Sequence, residues 1–121
     1  MAKINALIKM NSSDPVLGPF PLNFIKEVDF DFVDVASDTI SVPSDSSTTL
    51  VASTVTVPSY VYILNRGNAT NILLQTTGGV QFGIIEPGDF TFITVKSSTV
   101  LTIKAASSSV DCDYIVMTKS S

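Results

Sequence analysis

The feature that most constrains the fold of this chain is the stretch from Tyr60 to Met117, in which short strand-like runs alternate with turn residues. The runs are rich in β-branched and aromatic residues, and Asn, Gly or Pro-Gly sequences separate them at intervals of roughly 8–12 residues. No segment of the chain repeats apolar residues with the period of a helix. The pattern predicts an all-β domain, either a sandwich or a barrel.

About nine or ten strands are predicted along the whole chain, enough for two packed antiparallel sheets. The fold class is therefore an antiparallel β-sandwich or a jelly-roll-like domain. The strands expected in the first half are Leu22 to Asp34, Thr39 to Val42 and Thr48 to Val57, with Lys3 to Met10 as a further candidate. The later strands are Tyr60 to Arg66, Asn71 to Thr76, Val80 to Ile84, Phe90 to Lys96, Val100 to Ala105 and Cys112 to Thr118.

Turn residues separate these strands and form the first set of candidate structural positions. Pro87 and Gly88 fit the two central positions of a type II turn, because proline presets φ at the first position and glycine tolerates the positive φ of the second. The other predicted turn residues are Asn65, Gly67, Gly78 and Gly79.

The N-terminal part of the chain differs from the rest. The run NSSDPVLGPFP, residues 11–21, holds three prolines and a glycine. Proline fixes its own φ and biases the preceding residue to extended backbone, so residues 1–21 are predicted to be an extended arm and residues 22–121 the β-sandwich domain. The arm either folds back onto the chain's own core or docks on a neighbouring subunit. The candidate assembly residues are Pro15, Val16, Leu17, Phe20 and Pro21.

Composition predicts self-association and argues against two kinds of partner. Charged residues make up only 15% of the 121 residues, and the mean hydropathy is +0.39. A surface with so few charges is expected to be covered in part by other copies, as a homo-oligomer. The net charge of −4 and the scattered basic residues argue against nucleic acid and against anionic membranes.

Reactive chemistry is not predicted at any position. The chain has no histidine, which excludes histidine-based catalysis and histidine metal sites. Strand alternation explains Asp29 and Asp31 as solvent-facing residues better than as calcium ligands. Glu86 and Asp89 are expected to solvate the Pro-Gly turn. We therefore expect a protein that is not an enzyme and that has no catalytic residue, cofactor or metal.

The cysteine and the aromatic residues are expected in the core. Cys112 is the single cysteine, which excludes an internal disulfide. We expect it to be a small buried hydrophobic residue in the last strand. Aromatic residues on strands pack into cores more often than they form sugar-stacking platforms, so the core is the expectation for this set. The residues concerned are Tyr60, Tyr62, Phe82, Phe90, Phe92 and Tyr114.

The stretch MAKINALIKM lacks the charge and hydropathy pattern of a signal peptide, and no apolar run approaches the ~20 residues of a membrane helix. Synthesis in a cytoplasm is the expectation.

Four pieces of the later half resemble a pattern found in small virion proteins of tailed bacteriophages. They are Tyr62 to Gly67, Ile85 to Gly88, Phe90 to Val95 and Asp113 to Met117. The resemblance implies a β-sandwich or jelly roll that assembles on capsids as a decoration (cement) protein, or in tails and fibres, often as a trimer. It therefore implies a virion protein that is made in the host cytoplasm and binds the major capsid protein.

Two further readings stay open beside that one. The chain could be a carbohydrate-binding or receptor-binding β-sandwich module in a tail or fibre. The stretch from Ile84 to Asp89 also resembles the Pro-Gly turn of cupin-type jelly rolls. Cupin enzymes use histidine ligands, which this chain lacks, so that second resemblance implies the fold alone.

Overall fold

The computed structural model describes the backbone of residues 2–11 and 23–119 and the side chains of residues 35–118. The described residues form nine strands and no α-helix, which confirms the all-β prediction. The strands are β1 (Ala2–Asn11), β2 (Asn23–Val42), β3 (Thr48–Val51), β4 (Ser59–Asn65), β5 (Ile72–Thr76), β6 (Val80–Ile85), β7 (Phe90–Val95), β8 (Leu101–Ala105) and β9 (Val110–Lys119).

Contacts within the chain divide it into two compact units, Met1–Phe32 and Val33–Ser121. In the first unit β1 runs antiparallel to the first part of β2, from Ala2 opposite Phe32 to Asn11 opposite Asn23. Residues 12–22 lie outside the described residues, and with them the candidate assembly residues Pro15, Val16, Leu17, Phe20 and Pro21. The extended arm and the division at residue 21 therefore stay predictions.

The second unit, called here the two-sheet unit, contains two antiparallel sheets. Their strand orders are β2-β9-β4-β7, in which β2 contributes residues 33–42, and β3-β8-β5-β6. The neighbours are nested along the chain: β5 pairs with β6, β4 with β7, β3 with β8, and β2 lies beside β9. The chain therefore runs out through four strands and returns through four, and most steps cross from one sheet to the other.

Both sheets contribute to one hydrophobic core, which is aliphatic. In β4 every second residue is buried, so that Val61 and Ile63 face the core while Tyr60 and Tyr62 are half-buried on the opposite side. The core residues are Val42, Val51, Val61, Ile63, Ile72, Leu74, Ile85, Val95, Leu101, Ile103, Ala105, Val110, Cys112 and Val116.

The prediction of an aromatic core is wrong for five of the six residues. Phe82 and Phe90 are exposed, and Tyr60, Tyr62 and Phe92 are only half-buried. Tyr114 is also half-buried, but it packs against the core as expected. The space between the sheets is filled by Val, Ile and Leu, whose branched side chains pack closely on a pleated surface. The aromatic rings of β4 and β7 therefore lie on the other face of their sheet.

Two predicted strand bounds also differ from the structure. The segments 22–34 and 39–42 belong to one continuous strand, β2. The strand predicted from Thr48 to Val57 ends at Val51. Val51 pairs with Leu101, which is the first residue of the antiparallel partner β8, so β8 has no residue left to pair with those after Val51. Val55 N instead donates to Ala52 O in a local turn.

Candidate functional site

The outer face of β4 and β7 carries a row of partly exposed aromatic side chains. The rings of Tyr60 and Phe92 are stacked with centroids 6.1 Å apart and an interplanar angle of 27°. Those of Tyr62 and Phe90 lie 6.0 Å apart at 34°. Tyr62 and Phe92 face each other directly in the strand register, which places the two ring pairs side by side. The four rings form one continuous surface, here called the aromatic row.

The β6–β7 edge, residues 80–85 and 90–95, is the most apolar exposed part of the two-sheet unit. β6 and β7 are the terminal strands of their sheets. A bulge in β6 leaves Phe82 without an opposite residue, since Leu74 pairs with Gly83 and Gln75 with Gln81. The exposed side chains at this edge are Val80 (60%), Phe82 (53%), Ile84 (49%) and Phe90 (66%).

An apolar groove opens at the same edge. Its volume is about 280 Å³, and its walls include Phe82 of β6, Ile93 and Val95 of β7, and Leu101 of β8. Residues of both sheets line it, so β6 and β7 lie on the same side of the two-sheet unit. The edge therefore combines a cavity with protruding apolar side chains.

Charged residues are confined to the ends of this edge. The segments 71–85 and 90–95 contain none. Glu86 and Asp89 lie in the turn between β6 and β7, and Lys96 follows β7 at its other end; all three are exposed. β7 therefore has carboxylates just before its first residue and an ammonium group just after its last residue.

Asn65, one of the predicted turn residues, is a fully buried polar side chain that binds several segments together. Its Nδ2 donates to Thr70 O and Ile85 O, both at 2.9 Å, and its Oδ1 accepts from Gly67 N at 2.8 Å. Its backbone N donates to Asp89 O, and its carbonyl accepts from Gly88 N. These groups are here called the Asn65 cluster. They connect the end of β4 with the loop that follows it, with the end of β6 and with the turn between β6 and β7. Every hydrogen-bonding group of the Asn65 side chain has a partner.

The predicted glycines occupy positions with different requirements. A Cβ on Gly67 would lie 2.4 Å from Val110 Cγ2, so this site requires glycine for space. Gly78 and Gly79, in the short turn before β6, have φ of 77° and 75°. Gly88 has φ of 82°, and Asp89 N donates to Glu86 O. Proline cannot adopt positive φ, so Pro87 and Gly88 form the type II turn expected from the sequence.

Asp113 on β9 lies in a small polar network beside the aromatic row. It accepts a hydrogen bond from Thr39 Oγ1 on β2, and Arg66 Nη1 lies 3.0 Å from its Oδ2. The hydrogen bond from the Thr39 hydroxyl lowers the pKa of this carboxyl below its usual value; burial opposes that effect, and the Arg66 guanidinium adds to the lowering. The network holds β2 beside β9 and is a structural site.

Cys112 is buried in β9, as predicted. Burial, followed by the charges of Asp113 and Asp111, raises the pKa of its thiol from 9.0 to about 11. The thiolate, which is the nucleophile and metal ligand, is therefore disfavoured. Within residues 35–118, no group of three or more carboxylate or thiol side chains could hold a metal ion.

Sequence reasoning missed the exposure of Phe82 and Phe90. The available signal was the charge distribution, because a charge-free run over two successive strands is typical of surface that another surface covers.

No protein-family model matches the chain, and no curated protein matches its sequence. No helix of the described part is long and apolar enough to cross a membrane.

Proposed function

We propose that this chain is a non-enzymatic structural protein of a tailed-phage virion, a capsid decoration (cement) protein that binds the major capsid protein and acts as a homo-oligomer. The observation that carries the proposal is the uncharged apolar surface formed by the aromatic row and the β6–β7 edge. Monomeric proteins rarely expose apolar patches of this kind without a partner. Its action is mechanical: it bridges neighbouring subunits and so resists their separation.

The strand order supports a jelly roll as the fold of the two-sheet unit. Jelly rolls consist of eight strands in two sheets, a fold shared by viral capsid and lectin domains. Here the nested neighbours β2·β9, β3·β8, β4·β7 and β5·β6 give eight strands wound as one long folded ribbon. Fold alone does not imply function, so the surface carries the functional argument.

The proline-rich segment is proposed as a second contact with the capsid. It carries Val16, Leu17 and Phe20 among Pro15 and Pro21, which favour extended backbone. Asn11 and Asn23 pair directly, so a two-residue Asn-Gly turn in place of residues 12–22 is sterically able to join β1 to β2. That variant removes the candidate assembly residues and keeps both strands.

The experiment mixes purified protein with empty capsids of the phage that encodes it. Decorating proteins cosediment with the capsids in saturable amounts and raise the temperature at which the capsids break open. The Asn-Gly variant should fold normally and bind more weakly. Absence of cosedimentation at saturating protein would overturn the decoration role, and unchanged binding by the variant would remove the segment from it. The resemblance favours three chains per particle.

A carbohydrate-binding or receptor-binding module in a tail or fibre is the second candidate. The side-by-side ring pairs of the aromatic row favour it, since sugars stack on exposed aromatic faces. Glycan-array binding that is lost in Tyr62→Ala and kept in Tyr114→Phe would support this role. An array without signal would leave the decoration role as the better proposal.

A further inference from the structure

We propose that two copies of this chain pair along β7, antiparallel and around a two-fold axis, so that the first sheet continues from one copy into the other. The occupant of the apolar β6–β7 edge is thus a second copy of the same chain. The inference gives the homo-oligomer of the proposed function an even number of chains, in place of the three that the resemblance favours, and it stands without the capsid part. Its observations are an unpaired strand, an apolar area and a charge pattern.

Among the described residues, β7 has a strand partner on one side only. It pairs with β4 on one side, from Ser59 opposite Val95 to Leu64 opposite Phe90, and it ends the sheet on the other. Proteins protect such edges with lysine, proline or covering segments. The sequence of β7, FTFITV, contains neither lysine nor proline. Its free N–H and C=O groups can therefore pair with an identical strand.

The exposed area at this edge is sufficient for the core of an interface. The exposed fractions of Val80, Phe82, Ile84 and Phe90 correspond to on the order of 400 Å² of apolar surface. A standard interface buries about 800 Å² on each partner, of which the centre is apolar and the rim polar. The four side chains supply about half of that area, the apolar groove adds to the centre, and the charged turn between β6 and β7 supplies part of the rim.

The charges select the antiparallel orientation. Antiparallel pairing of two β7 strands brings the first residue of each next to the last residue of the other. Asp89 and Glu86 of one copy then lie near Lys96 of its partner, and the same pair recurs across the two-fold axis. Parallel pairing would instead place carboxylates beside carboxylates. The chain is acidic overall, with a net charge of −4, and this edge is the place where two copies meet without repulsion.

The second layer is also consistent with a two-fold axis. A continued first sheet leaves both β6 strands on the same side, because β6 and β7 of one copy line the same groove. The exposed Phe82 of each copy then faces the other β6 across the axis. Such an interface is isologous, in which the same patch serves both partners. One pairing therefore accounts for the exposure of both strands.

The experiment measures the mass of the purified protein, without capsids, by analytical ultracentrifugation over a range of concentrations. A two-fold contact predicts particles with an even number of chains: a dimer, or a hexamer if a separate contact joins three. Particles of one or three chains at all concentrations would overturn the proposal. Because no capsid is present, this result is separate from the outcome of the cosedimentation experiment.

Charge exchange tests the orientation. Lys96→Glu should raise the dissociation constant about 10-fold, because two favourable ion pairs become repulsive. Adding Asp89→Lys to that variant should restore most of the affinity, whereas Asp89→Lys alone should weaken it. Lys104→Glu on β8 makes the same charge change away from the edge and is the matched control. Equal effects of Lys96→Glu and Lys104→Glu, or no rescue by the double change, would overturn antiparallel pairing.

Removal of one exposed ring tests the apolar part. Phe90→Ser should raise the dissociation constant about 100-fold, since two copies of this large aromatic contact are lost, one near each end of the paired strands. Circular dichroism and the unfolding midpoint of the monomer establish that the variant is folded. A folded Phe90→Ser variant that pairs with the affinity of the original chain would overturn the proposal.

Discussion

The Asn65 cluster and the β6–β7 edge lie in the same two-sheet unit, and they differ in every physical respect. The cluster is buried and polar, and each of its side-chain groups has a hydrogen-bond partner. The edge is exposed and apolar, and it consists of the strands that end the two sheets in the described part of the chain. The turn around Pro87 and Gly88 contributes to both, because Gly88 N donates to Asn65 O and the same turn joins β6 to β7.

The difference separates what holds the fold from what is available for assembly. A buried polar cluster is costly unless fully satisfied, so it specifies one arrangement of the loops it connects. An exposed apolar edge contributes little to the isolated fold and gains free energy only when it is covered. Substitutions in the cluster should therefore change unfolding, and substitutions at the edge should change association.

The largest expected effect on stability is that of Asn65→Asp. The change is nearly isosteric but replaces the donating amide with a carboxylate oxygen that faces Thr70 O and Ile85 O. We expect a loss of about 4 kcal/mol in the free energy of unfolding, because a buried charge then lies against two carbonyl groups. Asn68→Asp makes the same change at an exposed position and should stay within about 0.5 kcal/mol. Urea titration at neutral pH measures both, and similar values for the two variants would contradict the role of the cluster.

A smaller effect is expected of Gly67→Ala. The added methyl group would lie 2.4 Å from Val110 Cγ2, so either the loop or β9 must shift. A cost of about 2 kcal/mol is expected from such overpacking. Gly88→Ala provides the comparison: its site is open, and the cost of about 1 kcal/mol comes from positive φ alone. If Gly88→Ala proves the more damaging of the two, close packing at Gly67 is not what that site requires.

Much of the fold could be predicted from the sequence. From Tyr60 onward the strands follow their predicted positions within two residues, because turn residues bound each run at both ends. Between Leu22 and Val57 the predictions were poorer. β2 continues through residues 35–38 even though Ser37 and Asp38 are turn-forming residue types, and β3 ends where its partner strand ends. The length of a strand depends on its neighbour, which a single sequence does not reveal.

The candidate surface was harder to predict than the strands. Alternation in β4 correctly separates Val61 and Ile63 from Tyr60 and Tyr62, but it does not say which of the two faces is the core. The aliphatic set is buried here and the aromatic set is on the outer face. The burial of Asn65 was not predicted either, since an Asn at the end of a strand, two residues before Gly67, normally indicates an exposed turn. Its burial depends on carbonyl groups 5 and 20 residues away along the chain.

A smaller, pH-dependent effect concerns Cys112, which pairs with Asn65 in the register of β9 and β4. The folded thiol has its pKa raised from 9.0 to about 11. The unfolded chain therefore loses the thiol proton first, and the stability contributed by the neutral thiol, complete below pH 9, is lost as the pH rises through 11. Cys112→Ala removes this contribution, so its unfolding free energy should fall less between those two pH values than that of the original chain. Parallel pH profiles for the two proteins would contradict this assignment.

The smallest expected effect on stability is that of Ile84→Thr, and the same substitution at the neighbouring residue Ile85 provides the comparison. Ile84 is 49% exposed on the edge strand, whereas Ile85 is 2% exposed in the core and its carbonyl accepts a hydrogen bond from Asn65. The same change to Thr should therefore cost less than about 0.5 kcal/mol at position 84 and about 3 kcal/mol at position 85, where it places a hydroxyl in an aliphatic core. Both values are measured by urea titration at concentrations where the chain is monomeric.

At higher concentrations Ile84→Thr should weaken pairing of the copies, because the methyl groups it alters belong to the apolar edge. A large loss of monomer stability in Ile84→Thr would mean that the edge supports the fold itself, and the separation between the Asn65 cluster and the β6–β7 edge would fail.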